Sequence, residues 1–115
     1  GFKVVKLFLN LSREEQRARF LRRIDLPDHN WKFSTADARE RLRWDDYQEA
    51  YAAALTRCST EAAPWYVVPA DRKWYRNWAV SNLLLETLTD LKLGWPTPEG
   101  VDLKAMRKQL KAEQA

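Results

Sequence analysis

Five arginines crowd one short stretch, Arg13, Arg17, Arg19, Arg22 and Arg23, and the only acids among them are Glu14 and Glu15. Arg13 and Arg17 are four apart, as are Arg19 and Arg23, so a helix would carry them as two overlapping ridges. Guanidinium forks on such ridges suit phosphate oxygens, because each fork can offer two parallel hydrogen bonds to one phosphate. The commoner use of a charge run on a helix is a solvated face, here paired with Glu14, Glu15 and Asp37, and spacing alone favours that use.

A second concentration of cations and rings is APWYVVPADRKWYRNW, residues 63–78. Tyr66, Val67 and Val68 read as a strand, and Pro69, Ala70 and Asp71 as the turn at its carboxyl end. That is the edge where open α/β sheets bind ligands, and Asp71 and Lys73 flank it. A stacking platform for single-stranded nucleic acid needs its rings exposed together, whereas most of these rings read as core.

Other chemistries find no support. The three glycines are Gly1, Gly94 and Gly100, and none precedes Lys-Ser or Lys-Thr, so no phosphate-cradling P-loop occurs. There is no GxGxxG and no GxSxG. One Cys and one His do not make a zinc site, and His29 sits in a turn as a surface or capping residue. Asp45 and Asp46 are adjacent carboxylates, but neighbours on a helix diverge by roughly 100 degrees and do not converge on one cation. No metal ligand and no catalytic residue is therefore assigned within the chain.

The elements that must position these residues follow from hydrophobic periodicity. Val4, Val5, Leu7, Phe8, Leu9 and Leu11 form a nearly continuous β-prone run, the pattern of a parallel strand covered on both faces. Ser12 and Glu15 have capping-box spacing, and the arginine helix should end before Pro27. DLPDHN has the chemistry of a turn. Ser34 starts a second helix, and the spacing of Leu42, Trp44, Tyr47, Tyr51 and Leu55 predicts it to run unbroken from Thr35 to about Arg57, roughly 34 Å at about 1.5 Å per residue. WYVVPA is the second strand. Asp71 is the expected N-cap of a helix from Arg72 to about Leu93, whose broad apolar face should be core. GWPTPEG breaks the chain, and DLKAMRKQLKAEQA forms a last helix, read as a solvated terminal helix or a subunit contact.

The order β-α-α-β-α-α leaves two strands that cannot by themselves make a buried parallel sheet, so they expect partners from elsewhere. A chain of 115 residues is one domain or part of one. Its 45% hydrophobic content excludes a disordered chain, and its charge of +4 favours anionic partners without naming one. The single Cys58 argues against a disulfide scaffold and for a reducing, cytoplasmic location. No apolar run has the length of a membrane span, and GFKVVKLFLNL, with its two lysines, is a poor signal peptide. With no initiator Met, the expectation is a segment of a longer protein.

KLFLNLSREEQRARFLRRIDLPDHNWKFSTAD, then RWDDYQEAY, then APWYVVPADRKWYRNW, closely resembles the second half of the polyphosphate kinase 2 family, in order and spacing, over residues 1 to about 95. The resemblance implies a P-loop kinase-like, three-layer α/β fold with a parallel sheet. This chain would supply about two strands, a helical lid over roughly residues 12–58, and C-terminal helices, with 96–115 as an extension. It implies Mg-dependent phosphoryl transfer between inorganic polyphosphate and nucleoside mono- or diphosphates (ADP/ATP or AMP/ADP). The Walker lysine and aspartate would lie upstream, so this chain alone should be inactive, with Mg held mainly by the missing N-terminal half. On this resemblance Arg17, Arg19, Arg23 and Lys32 become the lid cations that bind phosphates, Arg13 and Arg22 surface residues, and Asp71 and Lys73 candidates for the nucleotide edge. Trp31, Trp44 and Trp65 become packing anchors. A homo-oligomer is expected, a membrane is not, and a small basic nucleic-acid-binding module is the alternative without catalysis.

Overall fold

The computed structural model describes residues 2–113. It divides into two compact units, one running through Leu85 and the other starting at Glu86. In the first unit, strand β1 (Lys6–Asn10) leads into helix α1 (Arg13–Asp25), a 3-10 segment (Pro27–Lys32), helices α2 (Thr35–Arg41) and α3 (Trp44–Cys58), strand β2 (Trp65–Pro69) and the greater part of helix α4 (Lys73–Asp90). The second unit holds the last turns of α4 and helix α5 (Leu103–Ala112). Among the described residues, no helix is long and apolar enough to cross a membrane.

The two strands pair in parallel, with Lys6 opposite Trp65 and Asn10 opposite Pro69. The Ala70 N–H extends the ladder by donating to the Asn10 carbonyl at 2.9 Å. Parallel neighbours need a crossover, and α1 to α3 supply it. Phe8 turns toward this crossover and meets the Tyr51 ring at 5.0 Å, which in turn lies 5.9 Å from Tyr47.

The expected burial of both strand faces is not found. Only Val68 and Ala70 are buried among the described residues, while Leu9 is 47% and Val67 52% exposed. The broad face of α4 likewise lies open instead of forming a core, with Trp74, Trp78, Leu85 and Leu88 all exposed. The reason is geometric: two strands and their crossover offer no second layer to cover those side chains. Trp31, expected as a packing anchor, is 78% exposed, its indole N–H donating to the Asp28 carbonyl and its ring under Lys32.

Three local expectations are also corrected. The helix predicted from Thr35 to Arg57 is two helices. The N–H groups of Leu42 and Arg43 bond back to Arg39 and Glu40 in a tight turn, and Arg43 leaves helical geometry with ψ 27°. Asp45 and Asp46 then fill the first turn of α3, where carboxylates are favoured by the helix dipole, and Arg43 pairs with Asp46 at 3.3 Å. The break turns Leu42 out to solvent, 84% exposed, and leaves Tyr47 and Tyr51 facing β1. DLPDHN is not a simple turn but the start of the 3-10 segment, from which Asn30 donates to the Arg23 and Ile24 carbonyls at 2.8 and 2.7 Å and closes the end of α1. Finally, α4 begins at Lys73 rather than at a cap on Asp71, with the Arg72 carbonyl taking the first helical bond from Arg76.

In the second unit, Gly100 turns the chain with φ 70°, a left-handed conformation that suits a residue without Cβ. Asp102 then caps α5, its Oδ1 accepting from the N–H groups of Lys104 and Ala105 at 3.0 Å. The helix ends at Ala112; the expected last helical residues, Gln114 and Ala115, lie outside the described residues.

Candidate phosphate-binding surface on the arginine helix

Helix α1 starts where β1 ends, and its first turn is tied to the end of β2. Ser12 is the N-cap, its Oγ accepting from the Glu15 N–H at 3.1 Å. In a full capping box the Glu15 carboxylate would reach back to the Ser12 N–H. Here Asp71 takes that donor, at 2.7 Å, and Glu15 turns instead to Arg19 Nε at 2.8 Å. Arg19 Nη2 donates to the carbonyls of Ala70 and Asp71, both at 3.0 Å. The junctions β1–α1 and β2–α4 therefore hold each other through one carboxylate and one guanidinium. The Ser12 backbone donor, then the Ser12 side chain, hold the Asp71 carboxyl below its ordinary range, with a smaller contribution from the Arg19 charge.

The other arginines of α1 are less engaged. Arg17 is exposed and makes no side-chain bond among the described residues; with Arg13, Glu14, Ala18, Leu21 and Arg41 it lines a surface depression of about 350 Å3. Arg23 reaches Asp37 only at 3.7 Å and covers the Phe20 ring. Arg22 is exposed. Lys32 lies at the end of the 3-10 segment, its ammonium over the Trp31 ring at 5.1 Å. Lys73, at the start of α4, is exposed. The expected cations thus fall into two sets: Arg17, Arg23 and Lys32 keep donors free for a ligand, and Arg19 has Nε and both Nη2 bonds spent within the fold.

One residue of this surface was missed by sequence reasoning. Arg41 Nη1 donates to the Arg13 carbonyl at 2.9 Å and to Gln16 Oε1 at 2.8 Å, pinning α2 against the first turn of α1. Its guanidinium also lies 5.9 Å from the Trp44 ring. Only its place at the end of α2, set by the unforeseen helix break, gives it that reach. Across the same break the Tyr47 hydroxyl donates to Glu40, and this bond raises the Tyr47 pKa above its ordinary value.

A cleft of about 350 Å3 opens between β1 and helices α1 to α3. Asp37 and Glu40 in its lining oppose a phosphate there. The described residues contain no group of three or more His, Cys, Asp and Glu side chains able to hold a metal, and Asp46 is occupied by Arg43. The residues present do not fit a magnesium site.

A family model described as polyphosphate kinase 2 matches residues 1–93. The AMP/ADP-polyphosphate phosphotransferase of Meiothermus ruber is 52% identical over 99 residues, 86% of this chain and 37% of that protein. The ADP-polyphosphate phosphotransferase of Rhodopseudomonas palustris is 50% identical over 113 residues, 96% of this chain and 39% of its own length. The crystal structure of polyphosphate kinase 2 from Arthrobacter aurescens TC1 superposes with a TM-score of 0.90 at 45% identity, covering 98% of this chain and 40% of that one. The chain spans about two fifths of the length of these relatives. Paired parallel strands, an arginine helix clasped to the neighbouring strand end, and a match over most of the residues agree on one conclusion: the chain belongs to the polyphosphate kinase 2 family and carries part of its P-loop kinase-like α/β fold.

Proposed function

We propose that this chain is the lid and carboxyl-terminal part of a polyphosphate:nucleotide phosphotransferase, moving a phosphoryl group between inorganic polyphosphate and a nucleoside mono- or diphosphate. The observation that carries the reading is α1 itself, a helix in the segment matched by the family, with Arg17 and Arg23 unspent and its base held to the β2–α4 turn.

Phosphoryl transfer asks little covalent chemistry of a protein and much positioning and charge neutralisation. Arg17, Arg23 and Lys32 bind phosphate oxygens and offset the charge that spreads over the transferred group. Arg19, through Glu15 and the Ala70 and Asp71 carbonyls, sets the height of α1 over the sheet end, leaving Nη1 for a phosphate. Asp71 orients the Ser12 end of the helix, and Lys73 stands at the nucleotide edge. Closing such a helix over the phosphates excludes water, which would otherwise compete as acceptor.

The magnesium this activity calls for would supply charge neutralisation at the phosphates, and its ligands, with the Walker lysine and aspartate, would lie in the N-terminal half of the domain rather than among these residues. The open faces of β1, β2 and α4 are the surfaces that half would cover, and the exposed Leu9, Val67, Trp74 and Trp78 support this. The location consistent with these substrates is the cytoplasm.

The test is direct. The full-length protein, given polyphosphate, magnesium and either ADP or AMP, should release the nucleotide one phosphate longer; absence of that product above background overturns the reading.

A further inference from the structure

Helix α5 lies beyond the residues that the family model matches. Lys104, Arg107, Lys108 and Lys111 recur on it at i, i+3, i+4 and i+7, which places them on one face extending about 10 Å along the axis. These four side chains alone line a shallow depression of about 270 Å3. None of them forms an ion pair among the described residues. No acid lies between Leu103 and Ala112, and the Asp102 carboxylate is spent capping the helix.

A solvated surface helix normally intersperses its cations with carboxylates three or four residues away, because like charges at that spacing repel. The α5 face has no such relief, so a polyanion that neutralises it binds with a gain that falls as salt rises. The four charges are strung along the axis and do not converge, so one phosphate reaches only part of them, whereas a linear chain of phosphates can follow them all. The helix has no aromatic residue on which a base could stack. Its apolar stripe is Leu103, Met106 and Leu110, without the aromatic anchors and breadth of a membrane-surface helix.

We propose that this face of α5 is a binding site for linear inorganic polyphosphate, additional to the cations of α1. The proposal rests on the reading of polyphosphate as substrate, and it predicts selectivity for chains of several phosphates over single ones.

The experiment compares the full-length protein with its variant Lys104→Gln, Arg107→Gln, Lys108→Gln, Lys111→Gln, which keeps good helix formers at every position. Binding of long-chain polyphosphate is measured without nucleotide. Between about 50 and 200 mM salt, the variant should bind at least roughly tenfold more weakly and its log affinity against log salt should flatten by about 2 to 3 units. Unchanged affinity and slope in the variant overturn the site. So does an equal four-cation dependence for a single-stranded oligonucleotide of matched charge, or binding to phosphatidylserine vesicles in place of polyphosphate. Failure of the phosphotransferase reading is distinct: it is seen as absence of nucleotide product from the unmodified protein, whatever the binding data.

Discussion

The Asp71 carboxylate accepts from the Ser12 N–H at 2.7 Å, joining the start of α1 to the start of α4 across 59 residues of sequence. The same residue's carbonyl accepts from Arg19 at 3.0 Å. A residue expected to cap its own helix instead completes the cap of another. The donor that Glu15 would take in a local capping box is thereby given to a tertiary partner.

That bond should be visible as a pH dependence. The folded-state Asp71 pKa is depressed by Ser12, so its contribution is fully present above the ordinary carboxylate value of about 4 and is lost as pH falls through the lower folded value. Melting curves of the full-length protein and of Asp71→Asn should differ near neutral pH, with the variant less stable, and converge in strong acid. A difference that persists unchanged at low pH would remove the charge from the explanation.

Arg19 should behave as a strap. Its removal by Arg19→Ala leaves the Ala70 and Asp71 carbonyls and Glu15 without their donor, at a cost of about 1–2 kcal/mol in denaturant unfolding. Arg19→Lys should recover little of it, because one ammonium cannot span a carboxylate and two carbonyls as the guanidinium fork does. Full recovery by lysine would mean that the charge matters and the fork does not.

Arg17 and Arg23 should separate activity from stability. Each alanine variant is expected to lower polyphosphate-dependent nucleotide phosphorylation by roughly 10 to 1,000 fold, the range of groups that stabilise developing charge. The denaturation midpoint should move little, since Arg17 has no partner to lose among the described residues and Arg23 loses a 3.7 Å contact with Asp37 and its place over the Phe20 ring. Unchanged kinetics would return both to a solvated face.

Tyr47 reports the break between α2 and α3. Its hydroxyl donates to Glu40, so the phenol should ionise above the ordinary pKa of about 10. Absorbance titration near the tyrosinate band should show one residue ionising late, and Glu40→Gln should bring it down. Because the folded pKa is raised, the stabilisation is present below the unfolded value and is lost as pH rises through the folded one.

Much of the fold was legible because it is written in short-range terms. The β-branched and aromatic runs of β1 and β2, the Ser12 cap, Pro27 after α1 and the Pro and Gly of residues 94–100 each act on their own neighbourhood. The break at Leu42 and Arg43 was not legible, as no Pro or Gly marks it and the apolar spacing carries straight through. The one available signal was Asp45-Asp46, an acidic pair of the kind that favours a helix start.

The sequence by itself determined that the arginines of residues 13–23 lie along one helix leaving a strand, since caps and periodicity are local and survive any packing. Only the tertiary structure decided which of them are spent. Arg19 is committed and Arg17 is not because the parallel register sets Ala70 and Asp71 beside the first turns of α1, and a helix's own spacing carries no record of what another strand brings to it.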